Sequence, residues 1–459
     1  MSVASALEDF SPAHMMDLEL TEPLPTVTYD GRHKRVWILG RLHTEPVGVC
    51  IVSLDQRDLT PDQLGALIWP EFCEPVGKRF AAAGLPRPSG LGGEGLKADP
   101  ARWPFLMRRQ ATLAAAPFIS VIICTRDRPV LLQACLDCLS RQVYPRFEVV
   151  VVDNAPVSDA VRTLVTAGRG GLPLRYVAEP RAGLSWARNA GIAASSGEII
   201  AWLDDDEEPD SHWLAGIAGG FAHSDDIGCV TGMVLPARLD TRAQELFEQL
   251  GGYWKGRGFS SAIFSRHGPQ SPLYPLPPFG VGANMAFRRE VIACIGGFDV
   301  ALGTGTPTLS GEDTLALTLV LLAGYRIAYE PMALTRHHHR QDLESLGRQL
   351  QGYGVGLTAY YSALVRHRPN VLPSLLGVVP SAVGYLRGAK TAATTPPLDL
   401  PPGLKVRRRR WMLMGPVVYA RSVRRQSRVA GLGGASTTGM SPVPAASHGG
   451  QPGGGPQGC

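Results

Sequence analysis

From residue 116 to about 340 the chain alternates apolar runs of strand length with stretches of helical period. FISVIICT (118–125) is an unbroken apolar run, and Pro129 then opens the helical VLLQACLDCLSRQ. FEVVVVDNA (147–155) and LRYVAEP (174–180) repeat the strand pattern. LSWARNAGIAASS (184–196) repeats the helical one, and EIIAWLD (198–204) is the next strand. Strands that are apolar throughout, rather than alternately, imply a sheet covered on both faces by helices. Strand and helix in turn imply a mainly parallel α/β sheet. Such sheets gather ligands beyond the carboxyl ends of their strands.

On either side the pattern changes. In residues 1–115, RVWILGRLHTEPVGVCIVSL (35–54) reads as two short strands around a turn. Residues 59–84 read as a helix capped by Thr60 before Pro61. The Gly- and Pro-rich segment 86–100 reads as a linker. This small N-terminal α+β region shows no chemistry. Residues 341–429 read as a helical, finally basic region, and the Gly/Pro/Ser-rich 430–459 as a disordered tail.

Composition narrows the class. A chain of 459 residues with 44% hydrophobic content builds sizeable cores and two or three domains. The net charge of +5 hides an asymmetry: residues 400–459 carry nine Lys or Arg and no acid, leaving the rest near −4. The overall basicity therefore does not argue for nucleic-acid binding. The first twenty residues are acidic and lack the apolar segment of a signal peptide. No run of about 18 apolar residues suggests a membrane span; VLPSLLGVVPSAVGYL (371–386) is short and holds Pro373 and Pro380. Of eight cysteines, only Cys135 and Cys138 are close, with no second pair to complete a zinc site. A reducing cytoplasm is the expected location.

One stretch calls for chemistry. IIAWLDDDEEPD (199–210) ends an apolar strand in five consecutive acids, which repel one another unless something positive sits among them. A hard oxygen cluster suits Mg2+ or Mn2+, commonly bound by one or two carboxylates plus substrate phosphates. On a strand-end turn Asp204 and Asp206 can converge on such an ion while Asp205 points elsewhere. Asp127 and Asp153 lie at or just past other strand ends.

Six stretches in this order and spacing resemble the family 2 glycosyltransferases of GT-A fold. They are SVIICTRDRPVLLQACLDCLSRQ, EVVVVDNAP, GLSWARNAGIAASSGEIIAWLDDDEEPD, GVGANMAFRREVIACIGGFD, GEDTLALTLVLLAGYRIAYEP and RHHHR. The resemblance covers about residues 116–340, half the chain. It implies that Thr125, Asp127 and Asp153 line a nucleotide pocket, with Asp153 accepting from the base, and that Arg188 lies near the diphosphate. Asp204, Asp205 and Asp206 look like the family's DXD motif, with Asp204 nearer the ribose and Asp206 the metal ligand. It further implies Asp313 as general base, Glu312 on the acceptor or at the helix start, one histidine such as His337 as a further metal ligand, and Gly282 and Asn284 on the acceptor side. The processive members' Gln-x-x-Arg-Trp is met only by Arg410-Trp411, with Arg407 in place of Gln, which implies a non-processive enzyme.

The expectation is an inverting, metal-dependent glycosyltransferase using a UDP-sugar, with dTDP- or GDP-sugars as further possibilities. The acceptor is a glycan, a lipid-linked or a small molecule. Two alternatives stay open: a sugar-phosphate nucleotidyltransferase, argued against by the glycine-free TRDRP turn, and a non-catalytic nucleotide-sugar-binding or scaffold subunit. The segment 403–428 interleaves basic, aromatic and apolar residues, as a peripheral contact on the inner membrane face requires.

Overall fold

The computed structural model describes residues 10–377 except 98, 255, 269–270 and 274–275, together with a helix at 402–433 whose side chains are described for 411–429. The tail expected to be disordered lies, from 434 on, outside the described residues. So does 378–401, which holds most of the apolar run 371–386.

Three strands open the chain: β1 (Ala13–Glu19), β2 (Arg35–Leu42) and β3 (Glu45–Ser53). β1 runs parallel to β2, and β3 is antiparallel to it. β2 and β3 are the two strands predicted around a turn. β1 was not predicted, because its mixed sequence AHMMDLE buries only some of its positions. Helix α1 (Pro61–Ala82) begins at Thr60, whose side chain and that of Gln63 form a reciprocal capping box. Its Leu64, Ile68, Phe72, Val76 and Phe80 recur every four residues and are buried against the sheet. The segment 86–100 is no free linker. Leu91 and Leu96 are buried in this same core, Leu24 N–H donates to the Gly93 carbonyl and Leu96 N–H to that of Leu20. A strap folded onto a sheet needs the same turn residues as a linker, so composition alone does not separate them. α2 (Pro104–Ala115) then leads into the large sheet.

That sheet is built from β4 (Ile119–Thr125), α3 (Pro129–Leu139), β5 (Phe147–Asn154), α4 (Ala160–Thr166), β6 (Leu174–Glu179), α5 (Leu184–Ala194) and β7 (Ile199–Asp204). It continues with β8 (Glu207–Pro209), α6 (Trp213–Phe221), β9 (Ile227–Pro236), α7 (Arg242–Gln249), β10 (Ala262–Phe264), β11 (Asn284–Arg288), α8 (Arg289–Cys294), α9 (Glu312–Leu322) and β12 (Arg326–His337). The strand order is β10-β12-β9-β11-β7-β4-β5-β6, with β8 paired to β12. β6, β5, β4 and β7 are mutually parallel, and β11 is antiparallel to both neighbours. Alternate residues of the parallel strands feed two cores. Ile122, Val150, Val152, Ile200 and Trp202 face one side; Val121, Ile123, Val149, Val151 and Leu203 face the other. Fully burying each such side chain is worth about 1.5–3 kcal/mol.

β4 is flanked by β5 on one side and β7 on the other, so the chain reverses its direction of progress there. That switch point is where open α/β sheets leave a crevice. Register sets Thr125 beside Asp153 and Cys124 beside Asp204 along one rim. Behind it α10 (Leu343–His367) contributes one face to the wall, followed in the chain by α11 (Leu372–Leu376) and by α12 (Pro402–Gly433), which packs along α10. α12 docks against the body through Tyr419 Oη on Asp299 (2.7 Å), Ser422 Oγ on the Ala301 carbonyl (2.7 Å) and Gln426 on Trp186 Nε1 (2.9 Å).

Candidate active site

A cavity of about 1310 Å³ opens at this rim, walled by the ends of β4 and β7, the start of α9, one face of α10 and the loops around 251–257 and 276–283. The five acids at 204–208 do not act as five charges. Asp204 lines the cavity; burial, with Asp206 and Asp205 nearby, pushes its carboxyl up to about 7 against the pull of Arg188 3.9 Å away. Asp205 turns inward, accepting from Thr125 Oγ1 at 2.7 Å and Arg128 at 3.1 Å, yet burial still raises it to about 6. Asp206 is held below the usual range by the guanidinium charges of Arg128 and Arg340 despite its burial. Glu207 sits beneath, buried, with neither oxygen in a well-formed hydrogen bond; desolvation raises its carboxyl well above the usual value, which favours the neutral form. Glu208 points outward to His338 at 2.7 Å. Neutralising some acids and pairing the others is how the fold tolerates the run.

The three histidines separate by strand alternation. His337 and His339 are buried and inward, while His338 leaves for Glu208. His339 Nε2 lies 2.9 Å from Glu248 Oε1, and its Nδ1 lies 2.8 Å from His337 Nδ1. A carboxylate only accepts, so a neutral His339 donates from Nε2 and holds its lone pair at Nδ1. His337 then donates from Nδ1, and its Nε2 is left with a lone pair. That atom faces Asp206 Oδ1 at 3.5 Å, too long for a good hydrogen bond. Burial drives the His337 imidazole down to about 3, so it stays neutral. Two bare donor atoms facing one another beside Asp204 fit a cation between them. Among the described residues no three His, Cys, Asp or Glu side chains are already gathered as a closed metal cage. Nucleotide oxygens and water ordinarily complete such sites for Mg2+.

The remaining predicted residues divide. Arg188, buried, bridges Glu312 Oε1 (3.0 Å), the Gly282 carbonyl (3.2 Å) and Asp204. Glu312 has one oxygen without a partner, and burial raises it to about 7. Asp313, in the first turn of α9, accepts from Gly282 N–H at 2.8 Å and Thr314 N–H at 2.7 Å. A Cβ at Gly282 would come within 2.7 Å of the Asp313 carboxylate, so only glycine allows that approach. Asp153 is buried, takes the Tyr176 hydroxyl at 3.0 Å on Oδ2 and leaves Oδ1 unpartnered. Burial raises its carboxyl. Asp127 occupies a left-handed turn (φ 55°) beside Arg126 and near Asp153, off the cavity wall.

Asn284 is a correction. It is fully buried, accepts from Trp213 Nε1 (2.9 Å) and donates to the Met233 and Ala333 carbonyls (3.0 and 2.7 Å). It ties β11 to its neighbours instead of facing an acceptor. Sequence reasoning also missed Arg128, which neutralises Asp205 and Asp206, and the Glu248–His339 pair. Arg128 was visible in TRDRP; Glu248 lies 91 residues before its partner and carried no signal.

Comparison with known proteins gives this geometry a family. The model "Glycosyl transferase family 2" matches residues 120–296. A glucosyl-dolichyl phosphate glucuronosyltransferase from Haloferax volcanii is 22% identical over 48% of this chain and 68% of its own length. Succinoglycan biosynthesis protein ExoM from Rhizobium meliloti is 29% identical over 47% of this chain and 65% of its own. Among solved structures, a Pyrobaculum calidifontis mannosyltransferase in complex with GDP-Man and Mn2+ aligns over 70% of this chain and 92% of its own, at 19% identity and a TM-score of 0.41. The matched stretch spans only 26% of an uncharacterized Sinorhizobium fredii protein and 33% of Haloferax volcanii glycosyltransferase AglE, so less than two thirds of most relatives is represented. The motifs, the sheet and the family match together identify the stretch around residues 120–296 as a glycosyl transferase family 2 domain of GT-A fold.

Proposed function

We propose that the chain transfers a sugar from a nucleoside diphosphate sugar to an acceptor hydroxyl, with inversion. The observation that carries this reading is the rim itself. The carboxylate–imidazole pair Asp206–His337 lines one crevice at the switch point of the sheet, and Asp153, buried with one oxygen unpartnered, is the chain neighbour of Asn154 on that wall. Asp153 Oδ1 suits the N3–H of a uracil, which favours a UDP-sugar. Asp204, Asp206 and His337 would hold Mg2+ or Mn2+. When bound, such an ion offsets the charge that grows on the departing diphosphate. Arg188 adds positive charge on the same side.

Across the cavity Asp313 receives the proton. As the acceptor oxygen bonds to the anomeric carbon, the bond from that carbon to the diphosphate oxygen breaks, and the hydroxyl proton passes to the Asp313 carboxylate. The two backbone N–H groups fix that carboxylate's position before the proton moves, which is where a weak base gains most. One displacement inverts the anomeric centre and needs no covalent intermediate.

The test is metal-dependent release of UDP from a UDP-sugar. Wild type should show it, and Asp206→Ala should not. Asp313→Asn should bind donor as wild type does and turn over at least 100-fold more slowly with acceptor, since an amide takes no proton. Wild-type turnover in Asp313→Asn would end the base assignment.

A membrane-bound acceptor fits the outer face of α12. Leu413, Met414 and Val417 are exposed there, one turn before the exposed Arg421, Arg424, Arg425 and Arg428. Apolar insertion and cationic attraction to anionic lipid then act together. No helix among the described residues is long and apolar enough to cross a membrane.

A further inference from the structure

Most cations on the cavity wall face carboxylates. Arg128 meets Asp205 and Asp206, Arg188 meets Glu312 and Asp204, and Arg340 lies 3.9 Å from Asp206. Arg257 lines the same cavity, and among the described residues no carboxylate lies within ion-pair distance of it. Its Nε donates to the Pro278 carbonyl (3.2 Å), one Nη to that of Gly280 (3.2 Å) and the other to that of Tyr253. Five N–H donors serve a guanidinium, so two remain uncommitted. Gly256 and Gly258, at φ 85° and 76°, turn the chain on either side of it, and Tyr329 Oη anchors Gly258 at 3.0 Å.

A desolvated cation is costly unless charge of the opposite sign reaches it. Burial lowers the guanidinium's proton affinity; Tyr329 and the more distant Asp313 only partly offset this. Arg257 braces the loop 278–280, which runs on to Gly282, the residue that holds Asp313. It therefore belongs to the loop wall of the cavity that carries Gly282 and, through it, Asp313.

We propose that Arg257 is an anion subsite for the acceptor, so that the molecule glycosylated carries an oxyanion, such as a phosphate ester, close to its attacking hydroxyl. This rests on the reading that the Asp313 side takes the acceptor. The two spare N–H donors suit two oxygens of one oxyanion. The same chemistry is offered by a soluble phosphoester and by a lipid phosphate.

The experiment uses the full chain saturated with Mg2+ and UDP, so that the donor side is filled. Binding of glycerol 3-phosphate is compared with glycerol, and of farnesyl phosphate with farnesol, by calorimetry. Wild type should bind each phosphorylated probe at least tenfold more tightly than its neutral partner. The tighter of the two phosphates identifies the source as soluble or lipid. Arg257→Met should abolish the difference, and Arg257→Lys should restore part of it. Should Arg257→Met fail to fold, Arg257→Gln keeps an amide donor for the loop carbonyls and removes the charge. Equal binding of charged and neutral probes by wild type overturns the proposal, as does an undiminished preference in the uncharged variants. If UDP itself does not bind, the donor reading fails separately, and the phosphate comparison is made on the protein without nucleotide.

Discussion

Replacing His339 with leucine should weaken Mn2+ binding without touching Asp204, Asp206 or His337. In the structure His339 Nδ1 lies 2.8 Å from His337 Nδ1, and its Nε2 lies 2.9 Å from Glu248; with His339 neutral and donating to that carboxylate, it accepts from His337. Leucine removes the acceptor. The buried Nδ1–H of His337 would then lack a partner, and the proton is better placed on Nε2, where Asp206 Oδ1 lies 3.5 Å away. A small tilt closes that gap to a charge-assisted hydrogen bond, and the imidazole then presents a proton where a cation needs a lone pair. Returning the proton costs about 1.5–3 kcal/mol, the worth of a hydrogen bond to a charged group. That is about a 10- to 100-fold loss, in line with other losses of partners behind a metal ligand. The assay is calorimetric titration of Mn2+ into UDP-loaded protein, with thermal melting to confirm folding, since Phe247 and Tyr253 pack edge-on against His339. An affinity within twofold of wild type, in a folded variant, would refute the relay.

Further outcomes follow from the same side chains. Asn284→Ala should lower stability by about 2–4 kcal/mol, because Trp213 Nε1–H and two strand carbonyls lose a buried partner; urea unfolding measures this, and a wild-type midpoint would contradict the scaffold role. Glu312 is raised from its ordinary value to about 7, so the ligand-free fold favours its protonated form and loses stability as pH rises from about 4.5 through 7. The full loss is on the order of 3 kcal/mol; Glu312→Gln should flatten that part of the melting profile, and an unchanged profile would remove Glu312 as its source. Leu413→Ser with Val417→Ser should reduce flotation with anionic liposomes several-fold, whereas deleting α12 is a poor test because Tyr419, Ser422 and Gln426 are buried in the body. Flotation equal to wild type would exclude that face.

The parallel half of the sheet was legible because β4, β5 and β7 each carry an unbroken apolar run, as in Val149, Val150, Val151 and Val152. The rim acids were legible because charge rarely follows such a run directly. What the pattern hid has physical reasons. β1 is half polar. The 86–100 strap shares its composition with a linker. Asn284 has the polarity of a ligand-binding residue, and only three-dimensional partners show that both ends of its amide are spent within the core. The cavity's far wall, with Arg257, Tyr253 and Gln349, comes from segments about a hundred residues apart, a relation that local periodicity does not carry.

The central claim is that Asp204, Asp206 and His337 hold a divalent ion against a nucleotide's diphosphate. Calorimetry of UDP binding to the full chain, with and without Mn2+, tests it most directly. The account predicts at least a tenfold tighter UDP affinity with the metal in wild type, and no such gain in Asp206→Asn. Equal affinity with and without Mn2+, together with the same result for Mg2+ and for GDP and dTDP, would contradict it.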